Sequence, residues 1–149
     1  MKRFRFRLER ILELKKYSEK QWEIKLGEIT VQCENIKREM KETGDKRRIS
    51  FADRPAGKLE DMAVTEAYIN HLDGKLKELR GRLDILEKKR LEVQKKYLEA
   101  SKERKVYDAL KEKRAAEFHK EELRREFMEI DDLNSGTAAR KAEGRNGCG

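Results

Sequence analysis

The sequence predicts an all-α protein, a long antiparallel two-helix coiled-coil hairpin with an overhanging C-terminal helix. Three observations support this class: a highly charged composition, two stretches with heptad spacing, and a short linker with proline and glycine between them. Of the 149 residues, 46% are charged and 36% are hydrophobic. This composition is too polar for a broad globular core and too regular for disorder, and it suits long helices that share a narrow apolar interface.

The clearest heptad pattern lies between Met62 and Tyr107. With Met62 at position a, eleven of the fourteen a and d positions are apolar, and the spacing alternates between three and four residues. Such spacing keeps one narrow stripe facing a partner helix. We call these positions the second seam: Met62, Thr65, Ile69, Leu72, Leu76, Leu79, Leu83, Leu86, Arg90, Val93, Tyr97, Ala100, Arg104 and Tyr107.

Residues 1–43 are predicted to hold the first coiled-coil helix, which we expect from about Phe4 to about Thr43. The opening residues alternate basic and apolar types, but a single short strand has no neighbour to pair with, so we interpret them as the start of this helix. The polar pair Lys15 and Glu19 either loosens the interface locally or sets its register. The first seam is Leu8, Leu12, Lys15, Glu19, Trp22, Leu26, Ile29, Cys33, Ile36 and Met40.

Residues 44–57 are predicted to form the connecting loop. Gly44 is typical of the position just past a helix C-terminus, and the loop contains the only proline of the chain. Two seams joined by so short a linker indicate antiparallel neighbours. A turn centred near Phe51 would place Met40 beside Met62.

Residues 58–133 are predicted to form the second, longer coiled-coil helix. The heptad phase of the apolar residues changes after Tyr107. From the helical rise per residue, roughly 35 residues of this second helix extend beyond the end of the first helix. Apolar residues on this overhanging part, such as Phe118, Leu123 and Phe127, would require another protein. Residues 134–149 are rich in glycine, alanine and polar residues, and we expect a disordered tail.

The net charge of +8 is concentrated at the two ends of the chain, with +4 in residues 1–10 and +2 in residues 134–149. A nucleic-acid-binding basic coiled coil is therefore one alternative. Mixed Lys/Glu helices are, however, a poor track for phosphates, and no specific nucleic acid is expected. The two cysteines, Cys33 and Cys148, indicate no disulfide framework and agree with a reducing cytoplasm.

The sequence predicts a protein that is not an enzyme. It has no phosphate-binding glycine loop, and His71 and His119 are far apart without ligand spacing around them. A two-helix rod also offers little concavity for catalysis. We expect no catalytic residue, no metal, no cofactor and no small-molecule ligand. The absence of eighteen consecutive apolar residues argues against a membrane span, and no secretory signal is expected.

Five short segments are distinctive: FRFRL at residues 4–8, RILELKK at 10–16, LKEKR at 110–114, EELRRE at 121–126 and DDL at 131–133. Together they resemble the FliJ family of bacterial flagellar export proteins. The resemblance implies an antiparallel coiled coil similar to the central stalk of rotary ATPases. Such a component of flagellar type III secretion serves motility from the cytoplasm, peripheral to the inner face of the cell membrane at the basal body.

The resemblance also implies partners. They are the hexameric flagellar export ATPase, whose ring assembly it promotes, the cytoplasmic domain of the export gate membrane protein, and export chaperones. A generic coiled-coil scaffold or secretion chaperone remains the competing interpretation. The sequence leaves open the stoichiometry, the depth of insertion in a ring and the state of the isolated chain as monomer or dimer.

Basic side chains expected at one end of the rod are the candidate contacts to the ATPase ring, because a charge inside a ring requires an acidic partner. These candidates are Arg5, Arg7, Lys111 and Arg114.

Small residues at successive f positions form a second candidate surface, away from the seam and near the loop. Glycine costs about 1 kcal/mol relative to alanine inside a helix, so these positions either tolerate glycine or let another backbone approach. The candidate contacts to the export gate are Ala67, Tyr68, Gly74 and Gly81.

Overall fold

The computed structural model describes residues 2–146 and contains two long helices packed against each other. Helix α1 is Glu9–Ala52 and helix α2 is Leu59–Asn146. The described residues are 91% helical and contain no strand. The predicted all-α helical hairpin is thus confirmed.

The contacts divide the chain into two compact units. The hairpin unit is Lys15–Lys102, and it contains the connection between the helices. The terminal unit combines the described residues 2–14 and 103–146.

The core of the hairpin unit is the pair of predicted seams. Of the twelve second-seam positions in this unit, all except Met62 are buried or half-buried, and every first-seam position from Lys15 to Met40 is also at least half-buried. The heptad assignment is therefore confirmed within this unit. The buried apolar side chains here are Cys33, Ile36, Ile69, Leu72, Leu79 and Ala100.

Ion pairs across the hairpin unit define an antiparallel register. Met40 does not lie beside Met62 as predicted, because its neighbour Glu39 reaches Lys75, more than one heptad further along α2. The predicted register is wrong because α1 continues past the expected turn. The pairs are Arg54–Glu66 at 2.6 Å, Arg47–Asp73, Glu39–Lys75 at 3.7 Å and Lys37–Glu87 at 3.8 Å.

The first helix ends later than the sequence predicts. It runs through Gly44 to Ala52, and the connection is residues 53–58. The seam spacing continues in phase through Thr43, Arg47 and Ser50, which are buried or half-buried although polar. This continued packing offsets the cost of one helical glycine, about 1 kcal/mol. The turn uses Gly57 instead, whose φ of 134° strongly favours glycine.

The first helix also begins later than predicted. Residues 2–6 have no regular secondary structure, and α1 starts at Glu9, whose backbone N–H donates to the Phe6 carbonyl at 3.2 Å. The alternating pattern here places apolar side chains on one side and arginines on the other, as in an extended chain. The interpretation of these residues as a helical start is wrong.

The second helix continues beyond its predicted end near Leu133, and the expected tail is helical through Asn146. The Thr137 hydroxyl donates to the Leu133 carbonyl at 2.7 Å, across the boundary where the helix was expected to stop. The last three residues, which include Cys148, lie outside the described part. We call residues 123–146 the overhang, and every side chain from 123 to 145 is exposed.

Candidate functional site

The N-terminal strap, residues 2–8, lies against α2 within the terminal unit. The rings of Phe4 and Phe118 are 5.6 Å apart and inclined by 49°, a favourable tilted arrangement. Phe4, Phe6 and Leu8 are half-buried, whereas the arginines between them are exposed. The strap and the α2 residues around Leu110 enclose a groove of about 910 Å³. The floor of this groove is apolar and its rim is basic.

The structure brings together the basic residues predicted to contact an ATPase ring. Arg5, Arg7 and Arg114 line the strap groove and are exposed. Lys111 is half-buried, and its Nζ lies 2.9 Å from a carboxylate oxygen of Glu9. Lys111 therefore fastens the start of α1 to α2, while the three guanidinium groups face outward. Two acidic side chains also line the groove, Glu117 and Glu121.

The small-residue stripe lies on α2 in the hairpin unit. Ala67, Tyr68, Gly74 and Gly81 are all exposed. A Cβ added at Gly74 or Gly81 would meet nothing within 4 Å. From Ala67 to Gly81 the stripe is about 20 Å long at the helical rise per residue. Its geometry allows close approach of another backbone, and nothing inside the hairpin unit requires the glycines.

The hairpin tip, residues 49–64, is an apolar surface that the sequence analysis missed. Phe51 is 54% exposed, Leu59 87% and Val64 70%. The Arg54 guanidinium stacks 4.9 Å from the Phe51 ring centre, so a cation covers part of this surface. The sequence prediction assigned Phe51 to the connecting loop and Met62 to the second seam. The continuation of the seam spacing through Thr43 would have indicated the tip.

These surfaces consist of apolar and charged side chains. Among residues 2–146, no group of three acidic, histidine or cysteine side chains is placed to hold a metal ion. Neither helix, over its described length, is apolar enough to cross a membrane. The surfaces instead combine exposed apolar side chains with charged rims, the pattern of interfaces between proteins. Fold and surfaces together define a coiled-coil hairpin protein with exposed apolar and basic surfaces.

The particular family follows from comparison with known proteins. The model of the flagellar FliJ protein family matches residues 4–143, nearly the whole chain. The chain belongs to this family, as the resemblance of its segments predicted. It is a coiled-coil protein of flagellar export, in a family of non-catalytic components that interact with the export apparatus. Neither the curated proteins nor the solved structures gave a match.

Proposed function

We propose that this chain is the stalk of a flagellar type III export apparatus. It promotes assembly of the hexameric export ATPase ring, links that ring to the cytoplasmic domain of the membrane export gate, and engages export chaperones. It acts in the cytoplasm, peripheral to the inner face of the cell membrane. The observation that carries the proposal is the strap groove, where four exposed arginines, among them Arg5, Arg7 and Arg114, line the rim of an apolar floor.

The strap groove is proposed as the surface that contacts the ATPase ring. Arg5, Arg7 and Arg114 meet acidic side chains of the ring, because a guanidinium removed from water requires a carboxylate partner. Lys111 contributes by holding Glu9, and thus by positioning the strap. Each arginine lies at the rim of the groove. Pairing with acidic side chains of the ring therefore determines the orientation of docking and contributes little to the stability of the hairpin.

Charge reversal tests this contact. Arg7→Glu combined with Arg114→Glu should abolish most of the ATPase stimulation while helicity by circular dichroism stays unchanged, since both side chains are exposed. The matched control is Arg140→Glu, an exposed arginine of the overhang outside the groove. Full stimulation by the double variant at physiological salt would remove these arginines from the contact.

The small-residue stripe, together with Tyr68, is proposed as the contact to the export gate. Gly74→Leu with Gly81→Leu should stabilise the isolated chain by about 1 kcal/mol per site, because leucine is the better helix former. The same change should abolish binding to the gate domain while ATPase stimulation persists, since leucine side chains block close approach of a backbone.

A third exposed glycine provides the control for the stripe. Gly27 lies on α1 in the hairpin unit, and a Cβ there also meets nothing within 4 Å. Gly27→Leu should therefore stabilise the chain and leave gate binding intact. Normal gate binding by the Gly74/Gly81 variant would leave the stripe without this role.

The alternatives predict different outcomes in the same assays. A generic scaffold or secretion chaperone would bind clients without raising ATPase activity. A nucleic-acid-binding coiled coil would bind unrelated DNA with a steep dependence on salt. Ion pairs between the helices, such as Lys37–Glu87 and Lys75–Glu39, engage lysines of the hairpin unit with carboxylates. These pairs favour the protein-docking function over a phosphate track.

A further inference from the structure

The overhang carries an apolar stripe of side chains that are each more than half exposed. Leu123 is 55% exposed, Phe127 66% and Ile130 52%. Their spacing of four and three residues is that of heptad positions d, a and d. An exposed stripe of this kind is unfavourable in water and indicates a helical partner.

The charged residues beside this stripe indicate which partner it takes. In the same heptad frame, Arg124 and Asp131 occupy e positions, and Glu126 and Leu133 occupy g positions. Residues at e and g flank the seam of a coiled coil and determine orientation and partner choice. The e positions thus carry opposite charges seven residues apart on one helix.

An antiparallel pairing of two copies brings the central apolar positions together and pairs the charges at the e positions, while Leu123 faces Asn134 of the second copy. When Phe127 of one copy lies opposite Ile130 of the second, Arg124 lies beside Asp131 of the second copy, and Glu126 lies beside Leu133. Two-fold symmetry repeats each contact, so the interface contains two opposite-charge pairs. A parallel pairing would instead place Glu126 beside Asp131 of the second copy, a like-charge contact made twice.

We propose that the overhang forms an antiparallel homodimer with the overhang of a second copy of this chain. The interface is short, because its apolar part consists of two copies of Leu123, Phe127, Ile130 and Leu133, far fewer residues than a standard stable interface contains. The dimer is therefore weak and reversible. Another protein that binds this face of the overhang must compete with the second copy of the chain. The proposal does not depend on the ATPase or gate contacts.

Sedimentation equilibrium of the full chain over a concentration series, in reducing buffer, tests the proposal. Wild type should show a reversible monomer–dimer equilibrium. Arg124→Asp and Asp131→Arg should each weaken dimerisation by about tenfold or more, because two attractive surface pairs become repulsive. An equimolar mixture of the two variants should restore association, since each interface then pairs aspartate with arginine twice.

Matched controls reverse the same charges on the outward face of the overhang. Arg125→Asp and Asp132→Arg lie at f positions and should leave the dimerisation constant unchanged. Leu123→Ala with Phe127→Ala and Ile130→Ala should leave the chain monomeric, with helicity of the hairpin retained. Because these side chains are exposed, their replacement does not unfold the monomer.

Three results would overturn the proposal. The first is wild type that stays monomeric at every concentration. The second is a dimer that survives the triple alanine variant, since its interface then lies elsewhere. The third is a dimer that Asp131→Arg strengthens, which is the signature of parallel pairing with Glu126.

Discussion

Leu79→Ala is expected to destabilise the hairpin unit more than any change of an exposed leucine. Leu79 is a second-seam residue and only 2% exposed, the least exposed apolar side chain of α2. The matched control is Leu91→Ala on the same helix, where the leucine is 56% exposed. Both variants make the same chemical change at helical positions, so they differ only in burial.

The expected loss follows from burial and from the thinness of the interface. Leucine to alanine in a buried site costs about 2–5 kcal/mol, the transfer term plus the cavity left behind. A two-helix interface lets neighbouring side chains relax into the space, so we expect the lower half of that range, about 2–3 kcal/mol. The control should stay within about 0.5 kcal/mol, as is usual for surface changes.

Urea unfolding measures this difference. Trp22, the only tryptophan, is half-buried in the hairpin unit between the ammonium groups of Lys25 and Lys96, at 4.7 and 5.0 Å from its ring centre. Its fluorescence therefore reports that unit, and circular dichroism reports total helix. Equal losses in the two variants would show that Leu79 is not in a shared core and would refute the assigned seam.

Three further predictions concern the turn, the strap and the overhang. Gly57→Ala should destabilise the chain by about 1 kcal/mol or more in urea unfolding, because alanine is strained at positive φ, whereas Gly44→Ala should stabilise it by up to about 1 kcal/mol inside α1. Phe4→Ala removes the ring contact with Phe118 and should speed tryptic cleavage at the strap arginines without loss of helicity; unchanged cleavage would contradict the role of that contact. Amide hydrogens of residues 134–145 should exchange far faster than those of Leu72 and Leu79, since every side chain of this segment is exposed; equal protection would show that the segment is covered.

The seams could be predicted from the sequence because their signal repeats many times. Each heptad of the second seam adds an independent indication, so Arg90 at a seam position did not obscure the pattern. The prediction of a helix boundary depends on single residues, and Gly44 wrongly indicated the end of the first helix. The polar residues Thr43, Arg47 and Ser50 continue the seam spacing past Gly44, but a search for apolar positions does not detect them.

Contacts distant in sequence could not be predicted. The sequence groups Lys111 with Arg5 and Arg7 by charge and by their expected place at one end of the rod, whereas the pairing of Lys111 with Glu9 depends on the register of the folded hairpin. The strap was also misread, because an extended segment beside a helix needs no second strand to be stable. The roles of the basic groove and the small-residue stripe stay predictions.

Stimulation of the export ATPase tests the central claim most directly. The chain is added to the purified hexameric flagellar export ATPase at one copy per hexamer, and phosphate release is measured beside native mass determination of the ring. A stalk should raise the turnover per ATPase subunit and the fraction of complete rings at this substoichiometric ratio. Unchanged turnover and unchanged ring assembly, with the chain still bound to the ATPase, would contradict the account.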